Sequence, residues 1–185
     1  MFIAIELPHD VRVRLAKHID NLLSAIPEAR ASWSREDNLH LTLKFLGDLP
    51  ITNIEKLSAA ASIAASKVEP FEFVVEGCGA FPPRGQPRVL WIGIDDPSGR
   101  LFQLNRALEE ESANAGFAPE PRAFHPHLTI GRFRQPHGSR QLAAIHKEIG
   151  FNREAISVSE LAVTRSELCS EGARHTVTSR HKLRL

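Results

Sequence analysis

The chain has 185 residues, 42% of them hydrophobic and 24% charged, which is enough to bury a sizeable core without help from disulfides or metals. A net charge of +1 argues against a protein that coats polyanions indiscriminately, and two cysteines without Cys-x-x-Cys spacing, Cys78 and Cys169, exclude a disulfide framework. No apolar run reaches the roughly 18 residues that a membrane-spanning helix needs.

The opening "MFIAIELPHD" reaches Glu6 almost at once and reads as a first buried strand rather than an export signal, so a reducing, cytoplasmic setting is expected. Pro8 and Asp10 then open an amphipathic helix to about residue 25, with Val11, Leu15, Ile19 and Leu22 at helical spacing. Residues 38–46 return to strand. Thr52 and Glu55 fit a capping box before an alanine-rich helix that runs to about Lys67. "FEFVVEGCGAF" and "VLWIGI" read as strands, separated by the turn chemistry of "PPRGQP". A long helix over about 98–115 ends at Gly116, and "HLTIGRF" follows as a strand. "SRQLAAIHKEIG" is a short helix, and "AISVSELAVTRSEL" and "HTVTSRHKL" close the chain as two strands. Residues 2–91 and 92–185 echo each other loosely, each offering helices beside strands, which suggests two similar lobes within a single α+β unit over 1–185.

One pattern occurs twice. His40-Leu41-Thr42 and His127-Leu128-Thr129 lie 87 residues apart in otherwise apolar strands. Residues i and i+2 of a strand share a face, so each imidazole points with its threonine hydroxyl while the flanking Leu and Ile residues point away. Buried polar side chains need partners, so the polar face is expected to border a cleft. Two imidazoles on opposite sides of a reacting group supply one base and one acid, and two hydroxyls can donate to non-bridging oxygens. That set suits in-line displacement at phosphorus. A serine-nucleophile mechanism fits less well, because no G-x-S-x-G elbow is present. The rival readings are a zinc site built from His40, His125 and His127, for which no further ligand stands at a fitting offset, and a pair of merely hydrogen-bonded strand histidines.

The chain resembles the 2H phosphoesterase superfamily, and specifically the bacterial and archaeal RNA 2′,3′-cyclic phosphodiesterases first described as 2′-5′ RNA ligases. The resemblance rests on "MFIAIEL", on Trp33 followed by "NLHLTLKFLG", on "FHPHLTIGR", and on "VTRSELCSEGARHTV" at 163–177. It implies a bilobed fold of two antiparallel sheets around a central cleft, with helices outside and no metal or other cofactor. It also implies that His40 and His127 are the catalytic pair, and Thr42 and Thr129 the phosphate-contacting hydroxyls. The implied reaction opens a terminal 2′,3′-cyclic phosphate to a 2′-phosphomonoester, with reversible 2′-5′ sealing as a side activity. Loss of the 3′ oxygen requires an acid beside it and a base holding water on the far side; the expectation is His40 as proton donor and His127 as proton acceptor, with the swapped assignment left open by the sequence. The expected partners are RNA ends or small cyclic-phosphate nucleotides, with no membrane and no obligate protein partner. Alternatives are a 2H enzyme for ADP-ribose cyclic phosphate or 2′-5′ oligoadenylate, and an RNA-end binding module with little turnover.

Arg132 and Arg165 are candidates for phosphate or RNA backbone contact, in a chain where seventeen of 23 basic residues are arginine. Phe45, which follows "HLTLK", reads as core, but as a base-stacking platform if exposed. His175 stands where the family pattern favours an aromatic residue, often tyrosine, and the chain has no tyrosine. His125 is placed to orient His127. His9, His18, His137, His146 and His181 read as surface residues, and Lys44 as a solvated charge.

Overall fold

A computed structural model describes residues 1–170 and 172–184. Strand β1 (Phe2–Glu6) leads into helix α1 (His9–Ala25), then β2 (Ala31–Trp33) and β3 (His40–Phe45). Helix α2 (Ile54–Ala65) precedes β4 (Phe71–Phe81) and β5 (Val89–Asp95), and α3 (Arg100–Asn114) precedes β6 (His127–Phe133). Helix α4 (Ser139–Ile149) is followed by β7 (Glu154–Val158), β8 (Glu160–Cys169) and β9 (Gly172–Lys182).

These strands form two antiparallel sheets, ordered β3-β1-β8-β9 and β2-β6-β5-β4-β7. Each sheet takes strands from both halves of the chain. The helices pack outside. α2 lies against β8 and β9 and α3 against β3, while α4 backs β4 and packs on α1. Buried faces match the sequence periodicities. Val11, Leu15, Ile19 and Leu22 line the inner side of α1, and Leu101, Leu104 and Leu108 that of α3. In the two His-x-Thr strands, Leu41 and Leu128 are fully buried, so a one-residue slip would turn their whole apolar set to the wrong face.

Three elements differ from the sequence expectation. β2 is a short edge strand of three residues that alternation does not reveal. The stretch read as one strand over 155–168 breaks at Ser159, so β7 joins one sheet and β8 the other; Ser159 accepts a hydrogen bond from the Leu183 amide. The capping box at Thr52 does not form, because Ile51–Asn53 adopt a 3-10 turn that places Asn53 at the cap with no side-chain bond. The start of α3 is capped from a distance: the Asp96 carboxylate accepts from the Leu101 and Phe102 amides.

Candidate active site

The His-x-Thr strands occupy comparable positions. β3 lies beside β1 in one sheet, β6 lies between β2 and β5 in the other, and the two strands approach each other. The segment joining β2 to β3 is bonded to β6: the Ser34 amide donates to the Ile130 carbonyl at 2.9 Å, and Ser34 Oγ donates to the Thr129 carbonyl at 2.8 Å. The chain thus enters the first motif already tethered to the second.

Both strands carry a β-bulge at the same point. Across β1, Ile3 faces Lys44 and Ala4 faces Thr42, leaving Leu43 as the extra residue of β3. Across β5, Leu90 faces Gly131 and Trp91 faces Thr129, leaving Ile130 as the extra residue of β6. Leu43 and Ile130 are 87 positions apart, the same offset as the histidines and the threonines. A bulge resets alternation. Phe45 and Arg132, which strict alternation would turn away, therefore return to the faces of His40-Thr42 and His127-Thr129. Phe45 is 62% exposed and stacks parallel to Phe2, and the ring of Phe2 in turn stacks on His40 with centroids 4.5 Å apart.

The two imidazoles are held alike. His40 Nδ1 lies 2.7 Å from the Asn38 carbonyl, and His127 Nδ1 lies 2.7 Å from the His125 carbonyl. A carbonyl only accepts, so each Nδ1 carries the proton and each neutral ring presents a bare Nε2. For His40 that nitrogen meets Thr42 Oγ1 at 3.0 Å, and the hydroxyl is the donor. Aromatic walls complete both sides. His175 meets His40 edge-on at 5.2 Å, while Phe81 and Trp91 flank His127 at 5.1 and 6.5 Å. Glycines make room for two indoles: a Cβ on Gly79 would stand 2.1 Å from Trp91, and one on Gly131 2.9 Å from Trp33. Burial is the main cause that holds both histidines below their ordinary range, His40 down to about 4. The neighbouring His175 adds to the effect at His40, and the charge of Arg132 adds to it at His127, while each backbone carbonyl works in the opposite direction.

The remaining predicted residues separate clearly. His175 faces His40, paired across β8–β9 with Ser166. Arg165 pairs instead with Thr176, so it lies on the opposite face from His175, and its guanidinium binds Glu167 at 2.9 Å. His125 tethers His127 through its carbonyl, while its exposed ring adds only the least of the influences that lower His127.

Two sequence readings are corrected. Lys44 is not solvated: its residue is 3% exposed, and Nζ lies 2.6 Å from Glu109 Oε2 and 3.2 Å from the Ala118 carbonyl. The bulge turns it inward beside Leu43, where α3 and the segment leading to His127 supply its partners. His18 and His146 are not surface residues either. Both are buried and bonded to each other at 2.9 Å, at the packing of α1 on α4. Helical periodicity contains the signal, since His18 falls on the Val11–Leu15–Leu22 face, but polarity outweighs it in a single-sequence reading.

Comparison with known proteins agrees with this geometry. The family described as LigT like phosphoesterase matches twice, over residues 5–91 and 92–175. An RNA 2′,3′-cyclic phosphodiesterase of Methanothermobacter thermautotrophicus is 34% identical over 176 residues, covering 95% of this chain and 94% of its own. One from Escherichia coli is 32% identical over 133 residues, covering 71% and 70%. Among solved structures, TT0787 of Thermus thermophilus superposes with a TM-score of 0.78 at 25% identity, covering 99% of this chain and 97% of that one. E. coli LigT complexed with 3′-AMP superposes with a TM-score of 0.74 at 26% identity, covering 98% and 96%. The doubled family match falls on the two halves that each contribute one bulged His-x-Thr strand, and the chain belongs to the LigT-like, or 2H, phosphoesterase family.

Proposed function

We propose that this protein hydrolyses the 2′,3′-cyclic phosphate at RNA ends to a 2′-phosphomonoester, using His127 as base and His40 as acid. The observation that carries the reading is the duplicated arrangement of the two histidines. Each has Nδ1 anchored on the carbonyl two residues upstream, and so directs Nε2 to the face shared with its threonine.

The chemistry follows from those atoms. Nε2 of neutral His127 removes a proton from water as the water oxygen bonds to phosphorus. The bond from phosphorus to the 3′ oxygen breaks, and imidazolium His40 delivers its Nε2 proton to that oxygen. Thr42 and Thr129 donate to the non-bridging oxygens, and Thr42 leaves His40 Nε2 to do so. Arg132 neutralises the phosphate charge. Its charge next to His127 also favours the neutral base there. Burial keeps both rings neutral before substrate arrives, so the phosphodiester anion supplies the field that stabilises a proton on one of them. Phe45, Phe2 and His175 form an aromatic surface beside His40 on which a terminal base can stack. With the 5′-hydroxyl of a second RNA in place of water, the same step in the same direction would seal a 2′-5′ bond, and its reverse would cleave one.

That relatives in Methanothermobacter thermautotrophicus and Escherichia coli are RNA 2′,3′-cyclic phosphodiesterases supports the substrate class. The test is an RNA oligonucleotide with a 2′,3′-cyclic end, incubated in EDTA and read by phosphorus NMR against 2′- and 3′-phosphate standards. Formation of the 2′-phosphate, lost in both His40→Ala and His127→Ala while RNA binding survives, is the expected result. An unchanged cyclic end rejects this substrate and turns attention to other cyclic phosphates and 2′-5′ linkages. Binding without turnover on any of these would identify an RNA-end binding module.

A further inference from the structure

On the helix-packed face of the second sheet, the ring nitrogens of His18 (α1) and His146 (α4) and the thiol of Cys78 (β4) lie within 4.8 Å of one another. We propose that these three side chains form a binding site for a thiophilic divalent cation of the zinc class, separate from the acid-base pair. An imidazole-imidazole-thiolate set is a zinc donor set, with a fourth position left for water.

Three features of the fold prepare the site. The first is a bulge in β4. Glu76 faces Gly93 and Cys78 faces Ile92, so Gly77 is the extra residue, at φ +74°. Cys78 thereby shares the face of the fully buried Ile92 and turns under the helices, whereas unbroken alternation from buried Val75 would turn it to the opposite face. The second is the orientation of His146. Its Nε2 donates to the Trp91 carbonyl at 2.9 Å, which leaves Nδ1 as a lone pair aimed into the cluster. A backbone carbonyl on the far nitrogen is the usual outer support of a metal-bound histidine. The third is access. A concavity of about 580 Å³ at the bulged edge of β4 counts Gly77, Cys78, Phe151 and Arg153 among its lining residues, and Phe151 braces His18 edge-on at 5.8 Å.

Without the ion, His18 Nε2–H donates to His146 Nδ1 at 2.9 Å. Tetrahedral bonds of about 2.0–2.3 Å separate ligand atoms by roughly 3.3–3.6 Å. The two rings therefore open slightly and the sulfur closes in, by motions within side-chain reach. The proton balance is definite. His18 shifts to its Nδ1–H tautomer with no net loss, and Cys78 releases its thiol proton as the metal–sulfur bond forms. Burial pushes that thiol up to about 11, so one proton leaves per ion and the dissociation constant rises tenfold for each unit of pH lowered. The family resemblance implied no metal; His18, Cys78 and His146 are far apart in the chain, and only the packing of α1, α4 and β4 gathers them.

The test is a cobalt(II) titration of the full chain after stripping with EDTA. The expected result is a thiolate-to-cobalt charge-transfer absorption with the visible bands of tetrahedral cobalt, saturating at one ion per chain and displaced by zinc. Cys78→Ser and His18→Gln, each checked for folding by circular dichroism, abolish the charge-transfer band, whereas Cys169→Ser and the His40→Ala/His127→Ala double variant retain it. Zinc also raises the melting temperature of the wild type and leaves that of Cys78→Ser unchanged. Absence of the charge-transfer band in the wild type, or its survival in Cys78→Ser, overturns the proposal. Both outcomes are independent of whether RNA is cleaved.

Discussion

The ion pair between Lys44 and Glu109 joins the first His-x-Thr strand to α3, and the Ala118 carbonyl extends the link toward the segment that reaches His127. Its two ends differ in exposure: the Lys44 side chain is 1% exposed and that of Glu109 is 26%. Breaking a buried pair by removing one partner costs about 3–5 kcal/mol, because a charge is left without compensation. Glu109→Gln strands the ammonium in the enclosed position, with the Ala118 carbonyl as its remaining strong acceptor, and belongs in that range. Lys44→Met strands the carboxylate, which water reaches and which keeps a bond from the Glu120 amide at 3.2 Å. Its cost is the smaller one of an incompletely satisfied polar group, about 1–3 kcal/mol. The double variant, with no buried charge, recovers most of the Glu109→Gln loss. Urea denaturation measures all three, and the midpoint shifts convert to free energy if the slope stays constant. The reasoning is refuted if Glu109→Gln is no more costly than Lys44→Met, or if the two single effects simply add.

Further predictions concern the proposed acid-base pair directly. In the free protein both histidines are held below 6.5, so the plot of log kcat/KM against pH breaks near 4 on the acid side, for His40, and below 6.5 on the alkaline side, for His127. Arg132→Gln removes a positive neighbour from His127 and moves the alkaline break upward; an alkaline break above 6.5 in the wild type contradicts the site electrostatics. Gly79→Ala places a methyl 2.1 Å from the present position of the Trp91 ring. It displaces the wall beside His127 at an overpacking cost of about 1–3 kcal/mol. Urea midpoint and tryptophan emission report it, and unchanged values of both would show that the indole is not held there.

Much of the site was legible because it is local. Strand alternation puts His40 with Thr42 and His127 with Thr129 on one face, and the backbone tether of each Nδ1 lies two residues upstream. The helix faces of α1 and α3 and the apolar faces of the His-x-Thr strands follow from nearest-neighbour periodicity in the same way. The bulges follow a different rule. An extra residue is defined only against a partner strand, so the return of Phe45 and Arg132 to the faces of the His-x-Thr pairs, and the inward turn of Lys44, depend on the pairing with β1 and β5. The same is true of the break at Ser159, where the chain leaves one sheet for another.

By itself, then, the sequence determined the elements that obey a short period, the doubled motif and the chemistry its residue types can perform. The tertiary structure decided which distant groups meet: Lys44 with Glu109, Asn38 with the Ala173 carbonyl beside His175, and His18 with His146 and Cys78. The physical reason is one of range. Periodicity is written along the chain within a few residues, whereas the burial that converts a charged or titratable side chain from a solvated group into a partnered one is imposed by segments 60 to 135 residues away, through the packing that excludes water around it.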